Sequence, residues 1–220
     1  MIVAAGAARR MGFDKILAPL AGKPVLAWSL EAFSNTPGLR ELVVVCPPGR
    51  EGEFREVCAG FSRVSAVAAG GRERADSVRA GLAALENCSG ENLVAVHDAA
   101  RPLIVPQVIL QCLEAAARSG AAALAAPMDE TLHEAGADGM IRATPPRERF
   151  WRAQTPQAAR RGHLLRALET GSPTDDAGAL AALGVPVRLV ENPLPNLKIT
   201  RPPDLVLAQA ILEARQEGLA

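Results

Sequence analysis

The chain has 220 residues, with 24 basic and 24 acidic side chains and therefore no formal net charge. This balance argues against a protein that binds nucleic acid through bulk electrostatics, and an aromatic content of 3% argues against base stacking on aromatic platforms. The four cysteines lack the C-x-x-C spacing of zinc or redox motifs. The sequence contains neither a signal-peptide pattern nor a stretch as long and apolar as a membrane span. These features predict a cytoplasmic protein with neither nucleic acid nor a membrane among its partners.

Short apolar runs alternate with helical patterns along most of the chain. An apolar run begins at Ile2, and the runs at 42–45 and 93–96 have the β-branched composition of strands buried on both faces. Further strands are predicted just before residue 70 and at 121–127 and 185–190, and helices at 24–35, 76–85, 106–118 and 203–217. Repeated strand–helix units predict an α/β fold with a doubly wound, mostly parallel, Rossmann-like sheet.

The alternation breaks between residues 128 and 151. Two short segments with strand composition, 131–134 and 140–143, flank a Gly/Asp-rich turn at 135–139, which predicts a protruding β-hairpin arm. Because a two-stranded hairpin is marginally stable alone, we expect the arm to pack against something, plausibly a second subunit. The predicted organisation is one domain over 1–220, with 128–151 as an arm insertion and a homodimer as the assembly.

The first strand leads into a loop of small residues that carries Arg9 and Arg10 and is followed closely by Lys15. Small residues let a backbone approach a ligand closely, and the exposed N–H groups of such a turn bind phosphate oxygens. The chain has only three lysines among its 24 basic residues, so a lysine beside this loop is notable. Its compact charge suits a crowded phosphate site, whereas arginine presents a rigid fork. The loop therefore predicts a site for a highly charged ligand such as a triphosphate.

Five further motifs follow in order along the chain. They are GGRERADSV at 70–78, HDAARP at 97–102, RERFW at 147–151 with QTPQ at 154–157, TDDA at 174–177, and NLKITRP at 196–202. Together with the first loop, this ordered set resembles the 2-C-methyl-D-erythritol 4-phosphate cytidylyltransferase family over residues 2–207. Ribitol-5-phosphate cytidylyltransferases are similar over much of the same length.

The resemblance implies an enzyme that joins CTP to a sugar-alcohol phosphate and releases pyrophosphate. Such chemistry requires positioning and neutralisation of negative charge rather than a covalent nucleophile. Matching the family motifs residue by residue implies catalytic roles for Arg10, Lys15, Arg147 and Lys198. The implied CTP-binding residues are Ala4, Ala5, Gly6, Ala7, Arg9, Arg10, Lys15, Gly71, Ser77, Asp98 and Lys198. The implied contacts to the sugar phosphate are Asp98, Arg101, Thr131, Arg147, Thr155 and Lys198.

The resemblance also implies a metal ion and a shared active site. Asp98 follows the end of a predicted strand, where ligands of open α/β sheets bind, and one carboxylate is enough to help hold the Mg²⁺ of a nucleoside triphosphate. Thr131 and Arg147 lie on or beside the arm, which in the family crosses to the partner subunit. These two residues are therefore expected to complete the partner's site.

Two motifs with suggestive chemistry are interpreted as structural. His97 could be taken for a catalytic base, but the nucleophilic phosphate is already anionic and needs none. Asp175 and Asp176 could form an acid–base pair, but they also fit the acidic first turn of a helix capped by Thr174. By local sequence alone, Asp76 and Ser77 fit an ordinary helix N-terminal cap better than a ligand site.

Three alternatives remain open from the sequence. A ribitol-5-phosphate cytidylyltransferase would use the same chemistry on a substrate of different length and hydroxyl pattern. A dehydrogenase is disfavoured because the first loop lacks the G-x-G-x-x-G spacing. A protein that binds CTP without turnover would be expected to have lost the charged set, which is present here. The chain departs from the family pattern at Ala8, Ile16 and Arg72.

Overall fold

The computed structural model describes residues 1–6, 14–85, 88–169 and 175–218. The strands are β1 Ile2–Val3, β2 Pro19–Leu20, β3 Lys23–Pro24, β4 Leu42–Cys46, β5 Val64–Ala69, β6 Leu93–Asp98, β7 Ala121–Pro127, β8 Glu134–Ala135, β9 Ile141–Ala143, β10 Trp151–Arg160 and β11 Val187–Glu191. The helices are α1 Val25–Ser34, α2 Glu51–Cys58, α3 Arg74–Ala83, α4 Pro106–Ser119, α5 Arg161–Ala167, α6 Asp176–Ala182 and α7 Pro202–Gln216. No helix in these described ranges is both long and apolar enough to cross a membrane.

Seven strands form the central sheet in the order β11-β7-β10-β6-β1-β4-β5. All of them run in one direction except β10, which is antiparallel to both β6 and β7. The chain passes from β1 outward through β4 and β5 and then returns to β6 on the other side of β1. This reversal is the topological switch point of a doubly wound sheet. The predicted mostly parallel Rossmann-like sheet is confirmed.

Both faces of the sheet are covered, as the apolar strand composition requires. In β4, Leu42 and Val44 belong to a core cluster that includes residues of α1, α2 and α4. The alternate residues Val43 and Val45 face a second cluster that includes residues of α3, α5 and α6. Successive strand residues point to opposite faces, so a strand buried on both sides has a continuous apolar sequence.

The long strand β10 and the helices α2 and α5 were not predicted from the sequence. β10 lacks a regular alternation and contains Pro156, which is unusual within a central strand. Its pairing with β7 shifts register between Ala153 and Gln157. Tertiary burial between two apolar neighbours stabilises this strand where its own sequence does not.

The predicted hairpin arm is present as β8 and β9, which pair antiparallel but are shorter than expected. Two of its apolar side chains, Met140 and Ile141, are 62% and 60% exposed. The helix at residue 176 is also confirmed, but its N-cap is Asp175, whose carboxylate accepts a hydrogen bond from Gly178 N at 2.9 Å. The cap had been assigned to Thr174, which lies outside the described residues.

Candidate active site

A cleft of about 650 Å³ opens at the carboxyl ends of β1 and β6, at the switch point of the sheet. Ligands of open α/β sheets bind at this position because the strand ends and the loops that follow them converge there. Segments far apart in the sequence contribute to the cleft. Its lining includes Ala4, Ala5, Gly6, Lys15, Gly71, Ser77, Asp98 and Lys198, all predicted CTP-binding residues.

The start of the first loop is fixed by the sheet, because Ala4 N donates to Val45 O at 2.7 Å. Ala7, Arg9 and Arg10, which were predicted to bind CTP, lie outside the described residues, as does the family departure at Ala8. Their assigned roles remain predictions.

Lys15 reaches the cleft from the far side of this loop. Asp14 shapes the turn by accepting a hydrogen bond from Ile16 N at 2.8 Å. The Lys15 Nζ atom donates to the carbonyl oxygen of Ile199 at 2.7 Å. Ile199 is buried in a cluster with residues of α7, so helix packing places this acceptor beside the cleft.

The glycine motif before α3 packs too tightly for any side chain. A Cβ on Gly70 would lie 2.5 Å from the Ala5 Cβ, and one on Gly71 would lie 2.2 Å from the Asp76 Cβ. Gly71 N donates to Ser77 Oγ at 3.3 Å, and Ser77 Oγ in turn donates to Glu73 O at 3.2 Å. Ser77 therefore organises the helix start and lines the cleft, so the structural and functional interpretations of this motif are compatible.

Three cations surround the Asp98 carboxylate at the end of β6. Lys198 Nζ donates to Oδ2 at 2.7 Å, Arg101 Nε lies 3.8 Å from Oδ2, and Arg74 Nε lies 3.9 Å from Oδ1. Burial by itself would raise the pKa of Asp98, but Lys198 and the two guanidinium groups outweigh it and hold that pKa below its ordinary value. The carboxylate is therefore ionised and mostly buried at the edge of the cleft.

The side chain of Arg101 is 12% exposed and is held by the backbone. Its terminal nitrogens donate to Asn196 O at 2.8 Å and to Ala153 O at 3.3 Å. Burial lowers the pKa of Arg101, and the nearby Asp98 charge partly opposes this effect. The Nε atom is buried without a hydrogen-bond partner. Arg101 is thus a fixed cation rather than a solvated surface charge.

Thr155 is only 4% exposed and lies behind the site. Its Oγ1 accepts a hydrogen bond from Asp98 N at 3.1 Å and lies 3.0 Å from His97 Nδ1. His97 is fully buried, and its Nε2 lies 3.2 Å from Arg101 O. A neutral ring with its proton on Nε2 satisfies these contacts and supports the structural interpretation of His97. A direct contact between Thr155 and substrate remains a prediction.

The buried imidazole should make the folded protein sensitive to acid. Desolvation lowers the pKa of His97 from 6.5 to about 3, so between these values the unfolded chain binds a proton that the folded protein does not. We expect the free energy of unfolding to fall as the pH is lowered from 6.5 towards 3. His97→Gln should flatten this dependence, as measured by urea unfolding at a series of pH values. An unchanged slope in the variant would contradict the assignment to His97.

The two arm residues predicted to bind substrate do not line the cleft of their own chain. Thr131 and Arg147 are both exposed, and Arg147 donates to Asp129 O at 2.9 Å. Their position outside the cleft is what a role in a partner's site requires.

Arg50 and Arg74 are among the cleft residues to which the sequence had assigned no role. Arg50 pairs with Asp14 and with Glu53, and Arg74 makes two hydrogen bonds to Asp176. The sequence analysis identified the GGRERADSV motif that contains Arg74, but it assigned no role to the Arg74 side chain. Arg50 follows a Pro-Pro-Gly turn and carries no sequence signal.

The site fits a magnesium ion that arrives with a nucleotide. Within the described residues, no group of three or more His, Cys, Asp or Glu side chains could hold a metal by itself. Asp98 offers one ionised carboxylate at the edge of the cleft, and Mg²⁺ usually takes its remaining ligands from phosphate oxygens and water. The donor set therefore suits a nucleotide-bound ion rather than a protein-enclosed one.

A doubly wound sheet whose switch-point cleft combines lysines and arginines with the ionised Asp98 is typical of a nucleotide-binding α/β protein of the nucleotidyltransferase type. Residues 1–214 match the 2-C-methyl-D-erythritol 4-phosphate cytidylyltransferase family. The enzyme of that name from Pelotomaculum thermopropionicum is 41% identical over 100% of this chain and 96% of its own length. The one from Syntrophotalea carbinolica is 42% identical, over 97% and 95% of the two chains.

Solved structures support the same assignment. A crystal structure of a 4-diphosphocytidyl-2C-methyl-D-erythritol synthase has a TM-score of 0.82 and 32% identity, covering 96% of this chain and 97% of the other. The 2-C-methyl-D-erythritol 4-phosphate cytidylyltransferase from Thermus thermophilus has a TM-score of 0.76 and 36% identity over the same shares. The chain belongs to the 2-C-methyl-D-erythritol 4-phosphate cytidylyltransferase family.

Proposed function

We propose that this protein joins CTP to 2-C-methyl-D-erythritol 4-phosphate, giving the CDP-methylerythritol product and pyrophosphate, a step of isoprenoid precursor biosynthesis. An oxygen of the sugar phosphate attacks the α-phosphorus of CTP, and the bond to the bridging oxygen breaks as pyrophosphate leaves. The observation that carries the proposal is the convergence of Lys15, Lys198 and Asp98 in one cleft of a chain from this family.

The cations of the cleft suit this in-line displacement. Lys15 Nζ donates to Ile199 O, and Lys198 Nζ donates to the Asp98 carboxylate. Phosphate oxygens can replace both acceptors when the nucleotide binds. Both lysines then neutralise charge that develops on the α-phosphate and on the leaving pyrophosphate. Arg101, fixed by two backbone carbonyls, presents its charge towards the sugar phosphate. Arg10 contributes a further cation to the triphosphate from the first loop.

Binding of the base relies on backbone groups and a hydroxyl. Gly71 and Ser77 lie together in the cleft, and the close approach of Gly71 to α3 excludes any side chain at this position. Ala4, Ala5 and Gly6 line the same cleft and present a small-residue edge to the nucleotide.

Asp98 is the residue that would hold Mg²⁺, or another divalent cation, in this reaction. When bound, the ion would neutralise part of the triphosphate charge. Lys198, which pairs with Asp98 in this structure, would then be available to bind the sugar or nucleotide phosphate. This exchange keeps the carboxylate paired with a cation in both states, which limits the cost of its burial.

The active assembly is a homodimer in which the arm of each subunit completes the site of the other. Support comes from the exposed apolar side chains of the arm and from Thr131 and Arg147, which lie outside the cleft of their own chain. In this assembly the two residues contact the sugar phosphate bound to the partner. The protein acts in the cytoplasm, in keeping with its phosphorylated substrates.

The experiment that tests the function is pyrophosphate release from CTP and Mg²⁺, with 2-C-methyl-D-erythritol 4-phosphate or ribitol 5-phosphate as acceptor. We expect saturable release with the first acceptor only. Release with ribitol 5-phosphate alone would preserve the chemistry and overturn the assigned substrate. Folded protein that binds CTP and releases no pyrophosphate with either acceptor would instead be a non-catalytic CTP-binding protein.

A further inference from the structure

Arg74 and Asp176 form a partly buried ion pair beside the cleft. Arg74 Nη1 and Nη2 donate to the two carboxylate oxygens of Asp176 at 2.8 and 2.7 Å, and Asp176 is 5% exposed. The pair joins the first residue of α3 to the first residue of α6. Burial opposes the charge of Arg74, but the Asp176 carboxylate outweighs it, so the pKa of Arg74 is raised. The guanidinium is thus a permanent cation with a fixed orientation.

The orientation of this guanidinium matters because its third nitrogen faces the site. Both terminal nitrogens of Arg74 are engaged by Asp176, and the remaining nitrogen, Nε, lies 3.9 Å from Asp98 Oδ1. Lys198 and Arg101 lie on the other carboxylate oxygen, Oδ2. Lys198 is the most exposed of the three cations, at 42%, against 30% for Arg74 and 12% for Arg101. Lys198 is therefore the cation best able to exchange Asp98 for a phosphate.

We propose that Arg74, locked by Asp176, is a positioning residue that holds the Asp98 carboxylate towards the nucleotide when Lys198 moves to substrate. The inference rests on the proposed function and deepens it. Arg74 and Arg101 remain in place on the two carboxylate oxygens, so Asp98 keeps its orientation and a counter-charge after Lys198 leaves. A carboxylate without this support would turn towards other cations of the cleft, which misplaces the triphosphate.

A purely structural role for the pair makes a different prediction. A buried ion pair is costly to desolvate, and its replacement by apolar side chains of similar volume is often neutral for stability. If Arg74 and Asp176 only join α3 to α6, an apolar pair should preserve nucleotide binding as well as folding. If Arg74 positions Asp98, the apolar pair should fold normally and bind CTP weakly.

The test uses three proteins. They are the double variant that carries both Arg74→Met and Asp176→Leu, the single variant Arg74→Lys, and the wild-type protein. Calorimetry with CTP measures binding, pyrophosphate release measures kcat and KM, and thermal unfolding measures stability. We expect the double variant to unfold near the wild-type temperature, with a CTP dissociation constant raised at least about tenfold. Arg74→Lys keeps the charge without the fixed fork, so it should recover part of the loss.

Arg160→Met is the matched control, because Arg160 pairs with Glu91 at the surface, outside the cleft. It should leave CTP binding unchanged. Wild-type CTP affinity in a folded double variant would overturn the inference. If the double variant does not fold, the Arg74→Lys variant provides the test. Unaltered CTP affinity in Arg74→Lys would also overturn the inference. Failure of the proposed function is separate, because it would appear as a lack of turnover in the wild-type protein.

Discussion

Replacing Lys15 or Lys198 by alanine is expected to lower kcat by about 100- to 1000-fold, whereas Lys23→Ala should leave kcat unchanged. Loss of one well-placed group that stabilises transition-state charge has this magnitude in other enzymes. Lys15 and Lys198 both line the cleft, where the charge of the attacking and leaving phosphates develops. The measurement is steady-state pyrophosphate release at saturating CTP and sugar phosphate.

Lys23 is a matched control because it is the remaining lysine of the chain and has a different environment. Its Nζ pairs with Glu31 and lies 3.6 Å from the centre of the Trp28 ring, away from the cleft. Lys23→Ala should therefore lower the melting temperature slightly without affecting turnover. Equal losses of kcat in all three variants would contradict the assignment of the two cleft lysines.

Mixing an Arg147→Ala chain with a Lys15→Ala chain is expected to restore activity that neither variant has alone. In a mixed dimer, the cleft that retains Lys15 receives an intact Arg147 from the partner's arm, and the other cleft lacks both residues. Random assembly makes about half of the dimers mixed, with one intact site each, so about a quarter of wild-type activity should return. The measurement is pyrophosphate release after the two chains are unfolded together and refolded.

Subunit exchange must be shown independently, by differently tagged chains recovered together on an affinity resin. A mixture of Lys15→Ala with Lys198→Ala is the matched control. Both residues lie in the cleft of one chain, so no mixed dimer has an intact site and no activity should return. Proven mixed dimers of the first pair without recovered activity would mean that the arm serves its own subunit.

Local patterns in the sequence were sufficient to predict most elements of the sheet. The runs at 42–45 and 93–96 are apolar at every position, since all their residues except the partly buried Leu93 are buried on one face or the other. The turn of the hairpin arm was also predicted from local sequence, because its Gly/Asp composition is typical of tight turns. β10 was missed because its stability comes from β6 and β7 on either side rather than from its own residues.

The chemistry of the site was predicted unevenly. Lys15, Asp98 and Lys198 stood out because two are rare lysines and one follows a strand end, and the fold brings all three to one cleft. Arg74 did not stand out, because an arginine in a chain rich in arginine carries no signal until its partner is known. That partner, Asp176, is 102 residues away and had been interpreted only as part of a helix start.

The sequence by itself determined the class of fold and the family, because each depends on residues that are close together or in a fixed order. It also indicated a phosphate-binding chemistry, which stays a prediction. Only the tertiary structure decided which charges meet. Lys198 pairs with Asp98 across 100 residues, and Arg74 turns its Nε towards the same carboxylate because Asp176 occupies its other nitrogens. Side-chain electrostatics depends on distances of a few ångströms, and folding sets these distances through strand order and helix packing far from the residues concerned.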